Sequence, residues 1–410
     1  MSKLNDLIKE MCPNGVEYKT ILECLSQPIT DGPHETPKLV NEGIPFVSVE
    51  AIHDGIVDLK KCRGYITKEY DLICSKKYKP QKYDVYFVKS ASVGKVGIAM
   101  DDSDFNIWSP LAAMRCNFSI ILPRFLFHVL QTERIQKEAI IQSSTSSQPN
   151  LSMRKLEKFT IPVPPLEIQK EIVRILDKFG ELEAELEAEL EARENQYEFW
   201  SGKVFNQDKE TMVTLETIGD VTKLAGFEFS KYVHYSDEGN VIALRGLNVK
   251  NGHLVLDDVK YVDNSDFSKL NRSKLYENDI LYTYVGTVGQ VGLVDKNDKY
   301  YLAPNVARIR IFDKKVNSKY VKHFLLTAEF KINQLESLSG TSSMKNITMT
   351  NIRKFKIPVP SLQEQERIVN ILDKFDALVN DITEGIPAEI ELRRQQYEYY
   401  RNKLLSFEEL

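Results

Sequence analysis

The chain has 410 residues, 42% hydrophobic and 28% charged, with a formal net charge of −5 at pH 7. That balance is ordinary for a water-soluble globular protein, and the length suggests two to three domains. No run of 18 or more apolar residues occurs, so no membrane-spanning helix is expected.

The opening residues MSKLND lack the apolar stretch of a signal peptide. Cys12, Cys24, Cys62, Cys74 and Cys116 show no CxxC spacing, and reduced thiols in a cytoplasmic chain are expected. Charge is unevenly placed. Residues 181–194 (ELEAELEAELEARE) hold seven Glu and one Arg, and without them the chain carries about +1. The balance therefore neither requires nor excludes nucleic-acid binding.

In chain order, Gly43 precedes a strand-like FVSVEAI. Residues 83–100 (YDVYFVKSASVGKVGIAM) then alternate β-formers around a glycine-bearing turn, the pattern of a hairpin. PRFLFHVLQTERIQKEAI (123–140) reads as a short helix. IPVPPLEIQKEIVRILDKF (161–179) starts a helix of about 40 residues, spanning about 165–206. The same succession then returns. Gly239 precedes IALRGLNV, NDILYTYVGTVGQVGLVD (278–295) repeats the hairpin, and NSKYVKHFLLTAEFKINQL (317–335) repeats the short helix. IPVPSLQEQERIVNILDKF (357–375) repeats the long-helix start at an offset of 196, and Asn150-Leu151-Ser152-Met153 matches Asn346-Ile347-Thr348-Met349. Such a repeat means one unit written twice. The frames after Asn150 and Asn346 match closely, whereas the heads before them match only in outline.

Both frame helices carry one apolar stripe. Ile172, Ile175 and Phe179 lie on the first, and Ile368, Ile371 and Phe375 on the second, which runs to about residue 407. A helix of that length needs a partner along the stripe, and its own repeat is the nearest candidate. Ser361 and Glu364 form a capping-box pattern, which Pro165 and Ile168 replace in the first copy. Phe375 to Arg393 is four residues longer than Phe179 to Arg193, and Gly385-Ile386-Pro387 should kink or break the second helix. The ELEA tract reads as a solvated acidic face or as a spacer whose length matters.

The pattern (T/S)SS…N-(I/L)-(S/T)-M…IPVP-x-L-x-x-Q-x-x-I-V-x-ILDKF, present twice, resembles the specificity subunits of type I restriction-modification systems. The resemblance covers nearly the whole chain and is sharpest over 143–179 and 339–375. It departs at Ile168, where the family carries Glu before the helix glutamine. The resemblance implies an α+β fold with two mixed, mainly β target recognition domains separated by two long antiparallel helices in a pseudo-two-fold repeat. The expected division is 1–150, 151–210, 211–346 and 347–410. The implied partners are double-stranded DNA with a bipartite target, two methyltransferase subunits docked on the helices, and restriction/translocase subunits. No cofactor is implied in this chain; S-adenosylmethionine, ATP and Mg would belong to the partners.

No methyltransferase NPPY-type motif, phosphate loop, HExxH or nucleophile elbow is present, so catalysis is expected to lie elsewhere. His34, His53, His128, His234, His253 and His323 are scattered and read as ordinary surface or core residues. Groups able to read base edges or grip phosphates cluster at the hairpin turns. They are Lys89, Ser90, Ser92 and Lys95 in the first copy, and Thr283, Tyr284, Thr287 and Gln290 in the second. Arg115 and Arg308, near the matched Pro110 and Pro304, join them, with Arg245 and Lys345. Exposed loop residues would look the same singly. A structural coiled-coil adaptor with protein-binding heads is the alternative.

Overall fold

The computed structural model describes residues 2–144, 149–205, 212–224, 231–336, 346–380 and 385–410. The chain divides into two units, Met1–Leu186 with Ile390–Leu410, and Glu187–Glu389. The fold is α+β, and each unit repeats one arrangement.

In the first unit the expected hairpin forms, Val85–Val88 pairing antiparallel with Val96–Ile98. It sits inside a six-stranded sheet, flanked by Leu111–Met114 and then Thr30–Asp31 on one side and by Ile56–Val57 and Ile52–His53 on the other. Successive residues face opposite sides. Val85, Phe87, Ala112 and Met114 enter one apolar cluster, while Tyr86, Val88, Leu111 and Ala113 enter a second. A strand buried on both faces needs a continuous apolar run, which is what VYFV (85–88) supplies. The second unit repeats this. Ile280–Thr283 pairs with Val291–Leu293 and with Val306–Ile311, which in turn pairs with Gly219–Lys223.

The repeated motifs turn out to be joinery. Ile161 and Ile357 are buried in short strands, Thr160–Pro162 against Tyr18–Thr20 and Lys356–Pro358 against Met212–Thr214. Asn150 bridges Ser90, and Asn346 bridges Val285, so each motif crosses its own hairpin turn. Leu151 and Ile347 are buried behind it. Ser152 and Thr348 then cap short helices by accepting the Lys155 and Asn351 amides. The family glutamine is buried in both copies. Gln169 accepts the Leu122 amide and donates to the Ile120 and Pro164 carbonyls; Gln365 accepts the Asn317 amide and donates to the Lys315 and Pro360 carbonyls. These three bonds fix helix start to head, and the preceding Glu has no part in them. Glu364 is taken by Arg367, while Ser361 accepts the Glu364 amide at 3.3 Å.

The first frame helix runs unbroken over Leu166–Phe205. The second is two helices, Leu362–Asn380 and Ile386–Leu404, with Pro387 in the first turn of the latter, where its missing N–H costs nothing. Within the first unit, the part of the latter helix from Ile390 onward runs antiparallel to the start of the long helix: Glu183 pairs with Arg394 at 2.6 Å, and Phe179 stacks on Tyr400 at a centroid distance of 5.4 Å.

One expectation needs correction. Each stretch read as a single short helix is broken. Pro123–Leu130 and Glu133–Gln142 flank Thr132, and Ser318–Leu326 and Ala328–Phe330 flank Thr327. Both threonines are extended and bond a carbonyl three residues back, and Thr327 also accepts the Phe330 amide. Their hydroxyls offer the backbone an alternative to the helical bond. Among the described residues no helix is long and apolar enough to cross a membrane.

Candidate nucleic-acid interface

In the second unit the hairpin turn is surrounded by the residues singled out from sequence. Thr283, Thr287 and Arg245 line a cavity of about 470 Å³ with Tyr235, Pro304 and Asn305. Tyr284 and Arg308 line a neighbouring cavity of about 860 Å³, and Val285 belongs to both. The turn is held by the buried Thr283 hydroxyl, which donates to the Thr287 carbonyl and accepts the Gln290 amide. Thr287 is exposed. The Gln290 side chain accepts the Asn251 amide at 3.2 Å, which ties it to a neighbouring loop. Arg245 donates to the Asp258 carboxylate and carbonyl, leaving its buried Nε without a partner.

In the first unit the same turn has different chemistry. Ser92 and Lys95 are exposed, and Ser90 is half-buried. Lys89 is buried instead, its ammonium 3.3 Å from the buried Asp31 carboxylate, which Lys77 also approaches at 2.5 Å. Ala91, between the two serines, has φ +63, in the left-handed region where the second copy places Gly286.

The two candidate arginines are not equivalent. Strand register makes Val85 opposite Met114 equivalent to Ile280 opposite Ile309, so Arg115 corresponds to Arg310, not to Arg308. Both are clamped identically. Arg115 donates twice to Asp84 at 2.9 and 2.7 Å and to the Lys79 carbonyl; Arg310 donates twice to Asp279 at 2.7 and 2.6 Å and to the Lys274 carbonyl. These forks brace the head from inside. Arg308 has Ala113 as its counterpart and faces the larger cavity. Lys345 lies outside the described residues.

Of the helix residues, Ile172 and Ile368 are buried in the cores of their own units, whereas Ile175, Phe179, Ile371 and Phe375 are partly exposed. Matched aromatic positions further on are more open: Phe199 is 62% and Tyr399 58% exposed, with Lys203 and Lys403 over their rings.

Two sites escaped sequence reading. His128 and His323 are buried and equivalent. His128 bonds Asp177 at 2.8 Å and Tyr397 at 2.9 Å, and His323 bonds Asp373 at 2.7 Å and Tyr197 at 3.3 Å. Each joins a head helix to the start of one frame helix and the end of the other. The matched Asp of the two LDKF motifs was the available signal. Among the described residues no group of three His, Cys, Asp or Glu could hold a metal ion.

A family model described as the type I restriction modification DNA specificity domain matches residues 33–192 and again 210–392. A Haemophilus influenzae protein named as a type I restriction enzyme specificity subunit is 33% identical over 294 residues, covering 69% of this chain and 72% of its own length. The EcoR124I/EcoR124II specificity subunit of Escherichia coli is 34% identical over 264 residues, covering 61% of this chain and 63% of its own. In fold, the chain is similar to one from a structure on complex assembly and conformational transition of a type I R-M system, at TM-score 0.64 and 16% identity over 96% of this chain and 98% of that one. The S subunit of M. genitalium superposes at TM-score 0.53 and 15% identity, covering 96% and 97%.

Proposed function

Because this chain belongs to the type I restriction-modification DNA specificity family, we propose that it reads a bipartite DNA target for methyltransferase subunits, each head reading one half. The observation that carries the reading is a common frame presenting unlike side chains at one position of the fold. At the hairpin turn, Lys89, Ser90, Ser92 and Lys95 in one head stand where Tyr284, Val285, Thr287 and Gln290 stand in the other. Two different half-sequences require such a difference. In the first head the exposed Ser92 and Lys95 lead the candidate set, with Ser90 beside them. In the second, Thr287, Tyr284, Arg245 and Arg308 surround the two cavities, and Lys345 follows in sequence.

The chain is non-catalytic on this reading. S-adenosylmethionine, ATP and Mg serve the methyltransferase and restriction/translocase partners, and the protein is cytoplasmic. The division 1–150, 151–210, 211–346 and 347–410 separates recognition domains from helical regions. The methyltransferases dock on the helices, through the exposed edges of Ile175, Phe179, Ile371 and Phe375 and the open aromatics beyond them. The long helix also acts as a ruler. One added ELEA lengthens it by about 6 Å, close to two base-pair rises of about 3.4 Å each. Helix length should therefore change the spacer by a base pair or two.

The test is co-expression with the cognate methyltransferase followed by methylome sequencing. A split recognition sequence is expected. Methylation without sequence preference would overturn the reading, and with it the preference over a protein-binding adaptor.

A further inference from the structure

The larger cavity of the second head has a charge that its counterpart in the first head lacks. Lys223, Arg272, Arg308 and Arg353 line it, with one carboxylate, Asp220. Strand and motif register locate the equivalent positions in the first head. Asp31 stands for Lys223, Ala113 for Arg308 and Glu157 for Arg353, while Lys77 stands for Arg272 and Lys89 for Tyr284. Two cations are replaced by carboxylates and a third by a methyl group. In the first head the charges also satisfy one another, since Lys77 and Lys89 both close on Asp31, and Glu157 accepts the Ile29 amide.

The second head sets one carboxylate against four cations, although Arg353 also donates to the Val221 carbonyl. Asp220 answers only Arg308 among the four, at 2.5 Å. Arg308 is 6% exposed and lines the cavity wall; its Nη1 donates to the Arg272 carbonyl and its Nη2 to Asp220, but its Nε has no hydrogen-bond partner. A buried guanidinium N–H without a partner is costly unless something outside the chain accepts from it. Lys223 and Arg272 are exposed at the rim. The cavity adjoins the candidate base-reading turn through Val285, one residue from Tyr284.

We propose that this cavity seats a backbone phosphate of the bound DNA, held by Lys223, Arg272, Arg308 and Arg353, and that the first head has no such seat. A phosphate supplies the acceptors these groups lack and sits where a strand entering the reading turn passes. The contact positions the duplex without reading it, so the two heads grip DNA unequally. The inference rests on the DNA-reading function proposed above.

The experiment uses the full chain assembled with its methyltransferase, measuring affinity for duplex DNA across a salt series. Lys223→Gln and Arg272→Gln change exposed side chains and should leave the melting temperature unaltered. Each is expected to weaken binding by a similar factor on target and non-target duplexes. Each should also lower the slope of log affinity against log salt, the double variant by up to roughly 0.9, the loss of one phosphate contact, with the methylated sequence unchanged. An unaltered slope with an intact recognition sequence overturns the phosphate seat while leaving the function standing. Methylation without any sequence preference in the parent complex overturns the function itself. Calorimetric titration with inorganic phosphate separates the sources: saturable binding abolished by Lys223→Gln, with the DNA slope unaltered, assigns the cavity to free phosphate and overturns the DNA assignment.

Discussion

The imidazole of His128 and the hydroxyl of Tyr397 meet at 2.9 Å although 269 residues separate them. The other ring nitrogen faces Asp177. A carboxylate can only accept, so Nε2 carries the proton, Nδ1 accepts, and Tyr397 donates. His323, Asp373 and Tyr197 repeat the arrangement.

Tyr397→Phe leaves Nδ1 of a buried neutral ring without a donor. The expected loss is about 1–3 kcal/mol, seen as a lower melting temperature with DNA specificity retained. Tyr197→Phe should act in the same direction but less strongly, because its bond is longer at 3.3 Å. Equal stability of both variants and the parent would sink the assignment of donors.

Acid should loosen both junctions. Burial holds the His128 and His323 pKa values below the usual imidazole value. A group whose folded pKa is depressed adds stability above its unfolded pKa, about 6.5, and that stability is lost as pH falls through the folded value. Asp376 is buried and Asp177 and Asp373 are half-buried, which opposes ionisation, but hydrogen bonds from His253, His128 and His323 respectively, with help from nearby cations, outweigh burial and hold them below the usual carboxylate range, Asp376 at about 2. Their contribution is present above about pH 4 and fails only in stronger acid. Calorimetric melting should therefore be flat above about pH 7 and fall in the first acid step. In His128→Gln/His323→Gln that step should shrink; an identical profile would contradict the titration of these two rings.

Gln365→Glu replaces two donors with acceptors facing the Lys315 and Pro360 carbonyls. Destabilisation of at least about 3 kcal/mol is expected, with faster hydrogen exchange at the Asn317 amide. Gln169→Glu should match it in the first unit, at the Leu122 amide. A mild effect at either position would mean that the glutamine is not the clamp.

Ala91 and Gly286 make a reciprocal pair. Ala91→Gly relieves a left-handed alanine, for a gain of up to about 1 kcal/mol after the cost of a freer unfolded chain. A Cβ at Gly286 would meet nothing within 4 Å, so Gly286→Ala should cost only backbone strain at φ +82, about 1 kcal/mol. Thermal melting checks both, and opposite signs are expected.

Lys95→Ala and Gln290→Ala occupy equivalent turn positions in the two heads. Methylome mapping should show each relaxing one half of the target and sparing the other. Uniform weakening on every sequence would count against direct readout at that turn.

The hairpins, the frame and the break at Gly385-Ile386-Pro387 were legible because each is local. Alternating β-formers, repeated motifs and a helix-stopping Gly/Pro pair all act within a few residues. The phase of a strand is not local. Arg115 and Arg308 both lie shortly after the matched Pro110 and Pro304, but hydrogen-bond register makes Arg115 equivalent to Arg310, and only the register separates a brace from a cavity residue. Arg115 looked free because its carboxylate, Asp84, lies 31 residues away. The histidine junctions were hidden for the same reason at greater range. The threonine breaks at Thr132 and Thr327 depend on where one hydroxyl turns, which periodicity does not encode.

The division of the chain has a consequence for its birth. The second unit is one uninterrupted stretch, Glu187–Glu389, and can close as soon as it leaves the ribosome. The first unit draws on Met1–Leu186 and also on Ile390–Leu410. The half synthesised first must wait, with Phe179 and His128 lacking Tyr400 and Tyr397, until translation reaches Ile390–Leu410. Closing so long a loop is slow and leaves apolar surface open meanwhile. The nascent protein should therefore mature in reverse order, its earlier-made head becoming complete last.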